Sequence, residues 1–268
     1  MKNFLHIVWL LFAAALFGGC AKNPSGEFQG YVEGEYVYVA APLGGALANL
    51  SVGRGDSVKA GQLLFELERQ SEAAALAQAE KNLAQARAGL ALSESTFQRR
   101  KELHDSPDGV VSAEELDKAR SQRDVDVEQV AALEAAQAKA KWSFDQKQQF
   151  APADAQVHDT LYRQGEFVAA GNPVVALLPP GNLKVRFFVP QEILPQIKVG
   201  QPVSVHCDGA AKTFAANVNY ISTQAEYTPP VLYSRDNRAS MVFMIEARIS
   251  VAAAPDVRPG QPADVRLN

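Results

Sequence analysis

From Arg69 to Phe150 the chain is alanine-rich and almost free of helix breakers, and the main exception, Ser106-Pro107-Asp108-Gly109, falls near its middle. No other stretch restricts the fold so strongly. Leu76, Leu83, Leu90 and Phe97 lie seven apart, with Ala79, Ala86 and Ser93 three residues after the first three, which is the a/d pattern of a narrow coiled-coil seam. On the return, Leu116, Val130, Leu133, Ala140 and Phe144 keep that frame. Arg123, Asp126 and Gln137 also fall on seam positions, where they are expected to weaken the seam or shift its register. Pro107 disfavours the helical conformation at Ser106 and Gly109 can take positive φ, so the first helix must end near His104. Two arms of about 36 residues, each roughly 54 Å long, joined by a short loop can pair only antiparallel.

The second arm announces its own start. Val111-Ser112-Ala113-Glu114-Glu115-Leu116 reads as a capping box, with the Ser112 hydroxyl accepting from the Glu115 N–H and the Glu115 carboxylate reaching back to the Ser112 N–H. Val111 and Leu116 are placed to form the accompanying hydrophobic staple. Small seam residues bury little apolar area, and Glu80, Lys81, Arg87, Asp124 and Glu128 solvate the outside. Such a hairpin is either a stiff spacer or an arm whose end meets a partner. Leu103, Val110 and Val111 favour the second reading, because no core of this chain is available to cover apolar residues at the far end of a solvated arm.

The chain begins like an exported protein. Lys2 precedes the apolar run Phe4 to Phe17, broken only by His6, and the segment closes on Gly18-Gly19-Cys20. Small residues before a cut and a thiol after it suit a lipoprotein signal, so 1–19 is read as signal peptide and Cys20 as the lipid attachment site. The run is short of the ~20 apolar residues that span a bilayer. Only two cysteines exist, which leaves Cys207 unpaired; in Val203-Ser204-Val205-His206-Cys207 it alternates as a strand residue and reads as a buried, inert thiol. Four scattered histidines offer no metal site, and a net charge of −4 without a basic block disfavours a nucleic-acid partner.

A phrase before the hairpin returns after it. Ala41-Pro42 answers Ala151-Pro152, Gly55-Asp56-Ser57-Val58 answers Gly165-Glu166-Phe167-Val168, and Ala60-Gly61-Gln62 answers Ala170-Gly171-Asn172. Neither copy can bury a core alone, so two half-sandwiches packed together, with the hairpin inserted between them, are expected. A strand precedes them at Tyr31 to Val39. Beyond Gly181, strands are expected at Leu183 to Val189, Pro202 to His206, Phe214 to Ile221, Met241 to Ile249 and Ala263 to Leu267, with a short helix at Pro190 to Ile197. Turns at Val199-Gly200-Gln201-Pro202 and Arg258-Pro259-Gly260-Gln261-Pro262 resemble each other, and Tyr227 to Arg238 reads as a polar loop. This set suggests a small β-barrel.

The expected fold is therefore mixed α and β and elongated: a split lipoyl-like β-sandwich with an inserted antiparallel α-helical coiled-coil hairpin, followed by a small β-barrel. Its expected divisions are 1–19 signal, 20–40 lipidated tether and first strand, 41–68 first half, 69–150 hairpin, 151–181 second half and 182–268 barrel. That order resembles the periplasmic adaptor, or membrane fusion protein, family of HlyD-like export subunits. The phrases Val199-Gly200-Gln201-Pro202 and Ala225-Glu226-Tyr227-Thr228-Pro229 look most like adaptors paired with ABC-type exporters.

The resemblance implies a bacterial periplasmic protein without catalytic residues, cofactor or metal, held to the inner membrane by lipid. It implies an inner-membrane transporter, self-association into a ring, and a TolC-like outer-membrane channel met by the hairpin tip. Arg99, Leu103 and Ser112 lie on the family's tip motif, and Gly109, Val110 and Val111 complete the expected docking surface. The gap from Leu103 to Ser112 is longer than in that motif and holds Pro107, and Arg100 stands where an apolar residue is usual. An adaptor of a proton-driven, RND-type pump and a structural envelope lipoprotein are the alternatives. A lipoyl- or biotin-carrier subunit would share the repeat, but it would present a modified Lys in a tight turn where this chain carries the hairpin.

Overall fold

The structure, a computed structural model, describes residues 26–209, 212–227, 241–250 and 256–268. The expected signal, Cys20 and all but the first residue of the loop beginning at Tyr227 lie outside them. In chain order the strands before the hairpin are β1 (Glu27–Gly34), β2 (Val37–Ala40), β3 (Gly45–Leu50), β4 (Ser57–Val58) and β5 (Leu63–Leu67). The hairpin helices are α1 (Gln70–Asp105) and α2 (Ala113–Asp145). After them come β6 (Gln148–Phe150), β7 (Ala155–Thr160), β8 (Phe167–Val168) and β9 (Pro173–Leu178), then β10 (Leu183–Pro190), β11 (Pro202–Cys207), β12 (Thr213–Tyr227), β13 (Met241–Ile249) and β14 (Pro262–Leu267). They form two compact units, Tyr36–Pro179 and the residues on either side of it.

In the unit Tyr36–Pro179 the two copies of the repeat interleave. One four-stranded sheet runs β2-β9-β7-β4 and the other β6-β5-β3-β8, so each copy lends its two-residue strand to the sheet of the other. The exchange is reciprocal at a constant spacing of 110 residues, Gly55 answering Gly165 and Leu47 answering Val157. Gly55 donates to the Val157 carbonyl at 2.8 Å and Gly165 to the Leu47 carbonyl at 2.8 Å. Gly55 and Gly165 take φ of 91° and 92°, and Gly61 and Gly171 both take 79°, values open to glycine, which fixes these turns in both copies. Leu47, Leu64, Phe65, Val157, Val174 and Leu177 fill a single core from both copies. Neither copy has an inside without the other.

The hairpin keeps the expected frame throughout. Leu83, Ser93 and Phe97 are buried on α1 and Ala119 on α2, while Arg123, Asp126 and Gln137 are half-buried on the same seam. The expected shift of register at those three residues does not occur. Arg123 lays its guanidinium over the Phe97 ring at 4.5 Å from the centroid and pairs with Asp124, so its charge stays solvated while its plane packs. Arg87 reaches Glu134 across the helices at 2.7 Å.

The other unit is a closed barrel in the order β1-β10-β13-β12-β11-β14. The single strand expected from Tyr31 to Val39, beside the tether, is two strands in two units: the chain leaves the barrel at Glu35, whose N–H donates to the Asn182 carbonyl at 3.0 Å, and β2 enters the sandwich. Val32, Val185, Phe187, Val205, Ile245 and Val265 are fully buried in the barrel. A Cβ on Gly30 would collide with the Arg186 carbonyl oxygen and lie 2.7 Å from Phe187 Cβ, which is how closely β1 approaches β10. β12 continues through Tyr227, with bulges between Val218 and Tyr220 and between Ile221 and Ala225, and so overruns the expected strand end at Ile221. The helix expected at Pro190 to Ile197 shrinks to one 3-10 turn, Leu194–Gln196. Cys207 is fully buried, and burial, then Asp208, pushes its thiol up.

Candidate functional site: the hairpin tip

Local chemistry builds the tip. Helix α1 stops at Asp105 because Ser106 turns extended before Pro107, its hydroxyl donating back to the Leu103 carbonyl at 2.8 Å. Gly109 then takes φ of +48° and donates to the Ser106 carbonyl at 3.0 Å, closing the turn. The expected capping box forms: Glu115 N–H donates to the Ser112 hydroxyl at 3.3 Å and Ser112 N–H to the Glu115 carboxylate at 3.2 Å. The Ser112 backbone, then its hydroxyl, hold the Glu115 carboxyl below the usual range, with Arg100 and Lys118 adding to it.

Two contacts across the tip were not legible in the sequence. His104 Nδ1 donates to the Val111 carbonyl at 2.8 Å, and Arg100 reaches the Glu115 carbonyl at 3.3 Å. Arg100 and His104 continue the seam frame beyond Phe97 and are half-buried, so the end of the seam is closed by donors to backbone carbonyls rather than by apolar packing. A signal for this existed: seam positions occupied by donors facing the last free carbonyls of a loop.

The expected docking residues divide between two roles. Ser112 is spent on the cap and Gly109 on the turn, and Val111 is half-buried. Leu103 and Val110 are 47% and 67% exposed, and Arg99 is exposed without a hydrogen bond or ion pair among the described residues. Arg99 and Leu103 are four apart and so share one side of α1. The exposed part of the set is thus a cation and an apolar side chain on α1 with a valine in the loop. Cys20 lies outside the described residues. Among those residues no helix is long and apolar enough to cross a membrane, and no cluster of three or more metal-ligating side chains occurs.

Residues 75–148 match the family model described as RND MFP, alpha-helical hairpin domain. With the interleaved sandwich and the barrel, that match indicates the class of the periplasmic adaptors, or membrane fusion proteins, to whose hairpin domain this part of the chain is similar. Over 294 aligned positions it is 28% identical to the UPF0194 membrane protein YbhG of Salmonella gallinarum, covering 89% of this chain and 87% of the relative. Its fold is similar to that of the membrane fusion protein Spr0693 from Streptococcus pneumoniae R6, with a TM-score of 0.66 at 20% identity over 90% of this chain and 98% of that one. MacA from Actinobacillus actinomycetemcomitans gives 0.63 at 19% identity, covering 90% and 78% of the respective chains.

Proposed function

We propose that this chain is the periplasmic adaptor of a bacterial export system, tethered to the inner membrane by lipid on Cys20. It works as a ring of copies that joins an inner-membrane transporter to a TolC-like outer-membrane channel. The adaptor does no chemistry of its own; it supplies length, a base and a tip. The observation that carries this reading is the tip itself, a capped turn that nonetheless leaves Leu103 and Val110 exposed beside Arg99, which has no partner among the described residues. A mere spacer has no use for apolar residues at its end, and a protein partner would remove them from water at about 25 cal/mol per Å².

The transporter is of the ABC type in the first reading, supported by the barrel phrases at Val199–Pro202 and Ala225–Pro229. A proton-driven RND pump is the second, favoured by the description of the family model that the hairpin matches. In cells, Leu103→Asp and Val110→Asp are expected to abolish export while co-purification with the transporter persists. Export that stops when ATP hydrolysis is blocked but continues after a protonophore supports the ABC reading, and the reverse supports the RND pump. Unimpaired export in both tip variants would contradict the tip's role.

A further inference from the structure

The hairpin is inserted in the sandwich through two short links, Glu68–Arg69 going in and Gln146–Lys147 coming out. A lysine is buried at this root. Lys147 is 5% exposed, and its ammonium donates to the Gly44 carbonyl at 2.8 Å and pairs with Glu72 Oε1 at 2.9 Å. Three separate segments therefore meet on one ammonium: the approach to β3, the first turn of α1, and the link from α2 to β6. A Cβ on Gly45 would lie 3.2 Å from that nitrogen, so the bare glycine makes the room the ammonium occupies. Glu72 Oε2 is also buried and has no hydrogen-bond partner among the described residues. Burial pushes the Glu72 carboxyl up, but the hydrogen bond from Lys147, a backbone hydrogen bond and the attraction of the Lys147 charge together leave it below its usual range.

An ion pair whose lysine is buried and whose carboxylate is half-buried is a poor device for stability, since apolar residues of similar volume do as well or better. It is a good device for geometry. An ammonium cannot slide away from a carbonyl and a carboxylate inside the protein without leaving both unpaired. Apolar contacts at the same root would tolerate small rotations. Leverage makes this matter, because a tilt of about 10° at the root of an arm about 54 Å long carries its end through about 9 Å.

We propose that Lys147, with Glu72 and the Gly44 carbonyl, is a positioning site that fixes the direction of the hairpin on the sandwich. Its functional consequence, aiming the tip, rests on the adaptor reading; the site itself does not. The test uses the full chain carrying genetically encoded spin labels at Ser57 on the sandwich and Ser95 on α1, both exposed. Electron–electron resonance reads the distance distribution between them in the parent and in the double variant Lys147→Met with Glu72→Leu, which leaves no buried charge behind. The double variant is expected to keep the parent's helix content and unfolding midpoint, and its distribution to broaden at least twofold. An unchanged distribution would overturn the proposal. Failure of the double variant to fold would also overturn it, because the pair would then be a stability element. A broadened distribution in a protein whose tip crosslinks to no channel would leave the positioning site standing and sink the adaptor reading instead.

Discussion

Arg123 shows what a seam pattern can and cannot tell at the scale of one residue. The heptad frame placed it correctly, but its charge argued for weakness there, and the Phe97 face that receives it lies 26 residues away in sequence, across the hairpin. Periodicity reports which side a residue faces, not what waits opposite. The capping box, by contrast, is entirely local and was legible down to its hydrogen bonds. Two outcomes follow at this scale. The folded Glu115 carboxyl titrates below its unfolded value, so its contribution to the α2 terminus is fully present above the usual carboxylate range and is lost as pH falls through the lowered value. Amide exchange near Ser112 should accelerate over that acidic interval in the parent and show no such step in Glu115→Gln. In the barrel, Gly30→Ala should cost about 2–3 kcal/mol in denaturant unfolding, because the clash is with backbone and not with a side chain that can move. Gly26→Ala, with nothing within 4 Å of the added carbon, should be close to neutral.

At the scale of elements, the repeat was legible because its turns require glycine at matched positions, and glycine leaves a mark in sequence. The exchange of β4 and β8 between the sheets was not legible. Each is two residues long, too short to carry a period, and its partner is chosen by closure of the common core. The same holds for β1, whose alternation says that it is a strand and nothing about which sheet it joins. We propose that the copies 41–68 and 151–181 fold as one domain without the hairpin. Because Lys147 and Glu72 already stand 2.9 Å apart at the root, replacing residues 74–143 by a short Gly/Ser loop closes a small gap and costs little loop entropy. The shortened chain should lose most helical ellipticity yet keep a cooperative unfolding transition for the sandwich. Loss of that transition would show that the two copies need the hairpin to find each other.

For the molecule as a whole, the order of parts was readable before any contact was known, since helical and strand periodicities change abruptly at the root of the hairpin and after Gly181. What the order left open was how the tip is finished. The loop lengthened by Pro107, and Arg100 on α1, depart from the motif that the resemblance implies; the tip is closed by His104 and Arg100 of α1 on the Val111 and Glu115 carbonyls, and Ser112 is withdrawn into the cap. If the tip is the docking surface, Arg99, Leu103 and Val110 carry it. Site-specific photocrosslinking in intact cells tests this most directly, with the photoreactive residue placed at Val110 and, as a control on the flank of the same hairpin, at Leu92, which is 67% exposed. The account predicts a crosslink to an outer-membrane channel from Val110 and none from Leu92. A channel crosslink from Leu92 alone, or from neither position while export proceeds, would contradict it.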